Sequence, residues 1–196
     1  MNPLKVVTAS LALAAMPVLA HADDMSYRYF QVGYLETDIP DTSKSLDGFG
    51  TRGSFGFADN FFLFTEYSNQ EASDSGFTVS IDQLNIGLGG HYPLTDNLDL
   101  VGRAGYASIT GELRDSVGNK VNADENGYLA AVALRGRVGE KLQLEAGYIY
   151  EVLGDSNDQG AELAVRYHFT SRWAAAVEYQ DVGDFSTVMA GVRISF

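Results

Sequence analysis

Beyond Ala22 the chain alternates apolar and polar residues with a period of two, segment after segment. Nowhere past that point does it run apolar for the ~18 residues that a membrane helix needs. This pattern constrains the fold more than any other feature, because a period of two means strands whose faces meet unlike surroundings. Ten such segments can be placed, at about 27–37, 47–57, 61–70, 79–92, 98–110, 127–139, 142–153, 159–169, 173–181 and 186–196. The last is the clearest. Val188, Ala190, Val192, Ile194 and Phe196 share one face, and Thr187, Met189, Gly191, Arg193 and Ser195 share the other. The expected fold is all-β, an antiparallel up-and-down barrel of ten strands, with eight as the alternative count.

The N-terminus reads as a leader. Lys5 supplies a positive start, Val6–Leu19 an apolar run, and Ala20-His21-Ala22 a small-residue cleavage site. Residues 1–22 are therefore expected to be a cleaved signal peptide for the Sec pathway, and residues 23–196 a single barrel domain of 196 − 22 = 174 residues. The formal net charge of −13 argues against nucleic acid as a partner. The absence of cysteine excludes disulfides and thiolate metal sites. A mean hydropathy of −0.08 looks soluble, but alternating strands average out in any hydropathy window, so a membrane barrel stays open.

The connections point the same way. Ala58–Asn60, Pro93–Asn97, Gly139–Lys141 and Thr170–Arg172 are short, whereas Asp38–Leu46, Glu71–Thr78, Gly111–Asn126, Gly154–Asp158 and Val182–Phe185 tend to be longer. If each hairpin pairs symmetrically about its short turn, residues facing each other must share a face. Phe57 then meets Phe61, Tyr92 meets Leu98, Val138 meets Leu142 and Phe169 meets Trp173, all on the apolar face. On the polar face the same symmetry sets Arg52 against Glu66 and Arg135 against Glu145. Such cross-strand pairs stabilise a sheet by roughly 0.2–1 kcal/mol each.

Alternation alone does not say which face points out; a soluble ligand-binding barrel would turn the apolar face inward. Two features favour lipid outside. Lys44, Lys120 and Lys141 all fall in connections, leaving the polar face without the lysines of a solvated surface. Aromatics also collect at segment ends, as two interfacial girdles require. One girdle would hold Phe57, Phe61, Tyr92, Phe169, Trp173 and Phe196, and the other Tyr34, Tyr67, Tyr106, Tyr128, Tyr148, Tyr150 and Tyr179. The lumen would then carry a charge network of Arg52, Glu66, Arg103, Arg135, Arg137, Glu145, Glu162, Arg166, Glu178 and Arg193.

A signal peptide, ten alternating strands, aromatic girdles and a final Gly191-Val-Arg-Ile-Ser-Phe196 together resemble the small outer-membrane β-barrels of Gram-negative bacteria, the OmpA/OmpX-like and porin-like family. The resemblance implies a monomeric barrel in the cell outer membrane, surrounded by lipid and lipopolysaccharide, with short turns in the periplasm and loops outside. It also implies that the terminal strand, through Phe196, Ile194 and Val192, is read by the barrel-assembly machinery. Unlike adhesive or proteolytic barrels of this size, the strands are not expected to extend far above the membrane.

Little here points to catalysis. His91 and His168 lie near periplasmic turns and Ser171 lies in a turn, so no nucleophile, base and acid converge at the outer rim. Asn122-x-Asp124-x-Asn126-Gly127 and Asp155-x-Asn157-x-Gln159-Gly160 resemble the start of a calcium loop. Both lack the later bidentate Glu, with Ala133 and Arg166 in its place, so no metal or other cofactor is expected. The expected function is a structural or surface-interaction barrel with acidic loops. The alternatives are a narrow passive channel lined by Arg and Glu, and a soluble secreted ligand-binding barrel.

Overall fold

A computed structural model describes residues 25–38, 45–74 and 76–196; the signal peptide, Asp41 and Lys44 fall outside them. Ten strands form in sequence: β1 Tyr29–Asp38, β2 Ser45–Ala58, β3 Phe61–Asp74, β4 Phe77–Thr95, β5 Leu98–Arg114, β6 Lys120–Val138, β7 Leu142–Leu153, β8 Ser156–His168, β9 Trp173–Val182 and β10 Phe185–Ser195. Each pairs antiparallel with its sequence neighbours, and β1 pairs with β10, which closes the barrel. Closure leaves no edge at membrane depth, so every backbone polar group there finds a partner without water.

The register settles which face is outside. Val188, Ala190 and Val192 on β10, Val32 and Tyr34 on β1, and Leu63, Ile86 and Leu88 on β3 and β4 stand on the outer wall, most of them exposed. Glu178, Arg193, Arg166 and Gln31 stand on the inner wall, buried. A soluble ligand-binding barrel needs the reverse, and a continuous apolar outer wall belongs in lipid.

Two short turns depart from symmetric pairing. The ladder shifts between Gly56 and Ala58, so Ala58 rather than Phe57 sits opposite Phe61, although the Phe57 and Phe61 rings still stack at 6.4 Å. A second shift between Pro93 and Thr95 sets Tyr92 opposite Leu100 and Thr95 opposite Leu98. Each bulge inserts one residue and tightens the local bend.

The larger departure is on the outer side. Most of the connections expected to be long are strand. β3 runs to Asp74 and β4 starts at Phe77, while β7 and β8 are joined at Gly154 and Asp155, and β9 and β10 at Gly183 and Asp184. Gly154 and Gly183 take φ of 58° and 61°, the left-handed values that two-residue hairpins demand. Lys120 accordingly lies in β6, not in a connection. β4 and β6 reach 19 residues and β5 reaches 17, so this side of the barrel stands well above the rest as a projecting ledge. The strands therefore do extend beyond the membrane.

Candidate functional site

The lumen is the candidate site. Arg135 Nε donates to Glu145 Oε2 at 2.8 Å, and Arg166 Nη1 donates to the same oxygen at 2.7 Å. Arg166 Nη2 reaches Glu178 at 3.0 Å, and Arg52 Nε lies 2.9 Å from the other Glu178 oxygen. Arg52 also approaches Glu66 at 3.4 Å, Arg103 reaches Glu66 at 3.0 Å, and Arg103 pairs with Glu162. Arg193 joins through Glu178 at 3.4 Å and through Gln31 Oε1 at 2.8 Å. Five arginines and four glutamates thus form one connected chain of contacts.

This network touches every strand. The charged groups come from β2, β3 and β5 to β10; Gln31 supplies β1, and Asn85 of β4 donates to Glu66 at 3.4 Å. Its members are buried or nearly so, and charges removed from water persist only when paired. Arg137 is also among the residues expected in the lumen. It pairs in register with Gln143 and lines the periplasmic mouth with Lys141, His168 and Ser195.

The rest of the interior is filled by apolar and aromatic groups. Phe62 and Phe64 point inward with Val101, Ala107 and Leu129. Phe62 occupies the space over Gly89, where an added Cβ would lie 2.1 Å from its ring. Tyr27 precedes β1 and enters the periplasmic end of the lumen. Its hydroxyl donates to Asp99 at 2.7 Å, and its ring stacks on His91 at 4.0 Å and on Phe62 at 5.1 Å. The Arg135 guanidinium lies 4.6 Å from the same ring. Tyr29 also faces inward, beneath Arg193 at 3.6 Å. A cavity of about 60 Å³ remains above the network and one of about 390 Å³ below it.

On the outer wall, Phe61, Tyr92, Phe169 and Trp173 mark the periplasmic level with the bulged Phe57, and Tyr167 joins them. Tyr34, Tyr106, Tyr128 and Tyr148 are exposed at the outer level, where Tyr106 and Tyr128 are cross-strand partners. Tyr67 is on the outward register but only 7 % exposed, since its ring lies against Phe49 and its hydroxyl donates to Asp82 at 2.6 Å. Phe196, Ile194 and Val192 continue the outer face of β10, and the Phe196 amide donates to the Arg28 carbonyl at 3.0 Å. The stretch Asn122–Asn126 runs straight within β6, so Asn122, Asp124 and Asn126 stand in a row on one face, spaced by roughly 7 Å, and do not wrap one ion as a calcium loop does.

A closed barrel, apolar outside, charged inside and ringed by aromatics at both levels, defines a transmembrane β-barrel of the outer membrane. The chain belongs to the outer membrane protein beta-barrel domain family, whose model matches residues 6–193. Among solved structures it is similar to Ail, the attachment invasion locus protein of Yersinia pestis, at 13 % identity and a TM-score of 0.50, covering 86 % of this chain and 97 % of that one. It is also similar to the N-terminal β-barrel domain of Pseudomonas aeruginosa OprF, at 12 % identity and a TM-score of 0.48, over 88 % and 100 % of the two chains. Likeness at this level of identity concerns the fold. No curated protein matches the chain.

Proposed function

We propose that the protein is a structural and surface-contact barrel whose lumen does not conduct. The observation that carries this reading is the single charge network that draws on all ten strands and crosses the lumen between the outer and the periplasmic cavities. A network of this kind fixes register, because a one-residue slip of any charge-bearing strand would turn its charge into lipid. At mid-depth such a placement costs roughly 2–4 kcal/mol for an arginine. The acidic ledge supplies the contact surface, facing lipopolysaccharide and the cell exterior. In this reading the chain leaves the cytoplasm through the Sec pathway, is recognised by the assembly machinery through Val192, Ile194 and Phe196, and works as a monomer without catalysis. His91 is engaged by Tyr27 and Asp99, which supports a packing role over a chemical one.

A narrow passive channel is the second reading, favoured by the cavities on either side of the network. Swelling of proteoliposomes in small neutral solutes separates the two. The structural reading predicts rates equal to those of protein-free vesicles; swelling that rises with protein content would overturn it.

A further inference from the structure

Where β4, β5 and β6 rise above the outer tyrosines, the polarity of their faces reverses. Along β4 the outward Leu88, Ile86 and Leu84 give way to Asp82 and Ser80, while the inward Asn85 and Gln83 give way to Ile81, Val79 and Phe77. Along β5 the outward Tyr106 is followed by Ser108, Thr110 and Glu112, and the inward side by Ile109 and Leu113. Along β6 the outward Tyr128 is preceded by Asn126, Asp124 and Asn122, and the inward side carries Ala123 and Val121. The three reversals fall at one level, since Gln83 faces Ile109 and Ile109 faces Glu125. Above that level Val79 faces Leu113 and Leu113 faces Val121, an apolar row across three strands on the side of the barrel axis. Phe77, Leu113 and Val121 are 53 %, 43 % and 66 % exposed. The opposite side of the ledge is polar, with Arg114 and Lys120 both bridged to Glu112. A ledge bathed in water on both faces needs no such sorting; a ledge with one covered face does.

A second observation lies beside the first. Lys120–Asn126 pair with β5 only, because β7 first meets β6 at Gly127. The Asn126 carbonyl accepts the Gly154 amide at 3.1 Å and thereby marks which side is open. By the two-residue alternation of an antiparallel ladder, Lys120, Asn122 and Asp124 present their backbone N–H and C=O groups along that same open side. The surroundings are acidic: Asp124 and Glu125 on β6, and Asp155 and Asp158 on the adjoining β7–β8 hairpin. Lys120, the one cation of this edge, is engaged by Glu112 at 2.9 Å.

We infer that the open edge of β6 and the apolar row beside it form a docking site for an extended, basic, amphipathic polypeptide, which adds to the ledge as a further strand. The inference rests on the surface-contact reading and names the partner class of that surface. Backbone pairing supplies binding and apolar side chains cover the row, while basic side chains meet the acidic rim. A second copy of this chain fits poorly, since the same acidic edge would meet itself.

The test uses full-length protein in nanodiscs of zwitterionic phosphatidylcholine. The probe is a fluorescent peptide of about eight alternating Lys and Val residues, the span of the open edge. Saturable binding above empty nanodiscs is expected, weakened about tenfold or more by Asn122→Pro and by Leu113→Ser. The proline removes an N–H from the open side and leaves the β5 ladder intact. Unchanged binding in both variants, or equal binding of a peptide with prolines at alternate positions, would reduce the effect to charge attraction and overturn the proposal. Absence of saturable binding would overturn it as well. Either failure leaves the non-conducting lumen untouched, because that reading fails only if the wild-type barrel passes solute.

Discussion

Replacing Glu178 by Ala removes the carboxylate on which the lumen network converges. Arg52 at 2.9 Å, Arg166 at 3.0 Å and Arg193 at 3.4 Å all lose a partner. The loss is uneven. Arg52 keeps Glu66 at 3.4 Å and Arg166 keeps Glu145 at 2.7 Å, whereas Arg193 is left with no carboxylate, only the Gln31 amide oxygen at 2.8 Å and the Tyr29 ring at 3.6 Å. One buried cation is therefore stranded without an anion. Breaking a buried pair by removing one partner costs about 3–5 kcal/mol. Because two of the three arginines retain a carboxylate, the expected cost lies at the lower end, about 3 kcal/mol. Adding Arg193→Met removes the stranded charge, so the double variant should regain roughly half of the loss, a coupling of ~1–2 kcal/mol. The assay is urea unfolding of protein refolded in lipid vesicles, followed by the fluorescence of Trp173, the single tryptophan of the chain. A cost for Glu178→Ala below about 0.5 kcal/mol, the range of an inert surface change, would refute the reasoning. So would a double variant less stable than the single one.

Three further outcomes follow from other parts of the barrel. At the β5–β6 tip the Asp115 carboxylate accepts the Val117 amide at 2.9 Å and both the backbone and side-chain amides of Asn119 at 2.8 and 2.7 Å. These bonds, led by the Asn119 side chain, hold its carboxyl below the usual range. A depressed value means the ordering is complete above the unfolded pKa of about 4 and is lost as the pH falls through the lower folded value. Protection of the Asn119 amide in hydrogen exchange should follow that course, and Asp115→Ala should show the low-pH exchange rate at neutral pH. Gly89→Val should destabilise the barrel by about 1–3 kcal/mol in the same urea assay, because the new side chain meets the Phe62 ring, whereas Gly102→Ala, with nothing within 4 Å, should be silent. Deleting Phe196 should slow membrane insertion in an assembly assay more than it lowers the urea midpoint of protein that has already inserted. Normal insertion would count against the terminal strand as an assembly signal.

The parts of the fold legible in the sequence are those set by local pairing. Arg52 with Glu66 and Arg135 with Glu145 are mirror positions about short turns, and the ladder places them opposite each other. Arg52 with Glu178 and Arg103 with Glu162 come from strands far apart in sequence and meet only across the lumen, which no local rule reports. Phe62 and Phe64 share the phase of Glu66, so the alternation turns them inward even though the run Phe61-Phe62-Leu63-Phe64 is apolar throughout and carries no phase of its own. Tyr27 stands between Ser26 and Arg28 ahead of β1, and no local rule reports its contacts with Asp99 and His91. The outer ends of β5 and β6, residues 111–114 and 120–126, read as loop because the apolar phase inverts there, whereas the β4 segment is already legible from residue 79. A period-two search reads such an inversion as the end of a strand, although the backbone continues unbroken and only the environment of each face has changed.

Single-channel recording in planar bilayers, on wild type beside Arg135→Ala and Glu145→Ala, decides whether the charge network closes the lumen. The predicted record is silent for the wild type and silent for both variants. The variants should also lose urea stability, because each leaves a buried partner unpaired. Stable ohmic steps from the wild type, altered in size by either substitution, would make the network the lining of a pore rather than its plug.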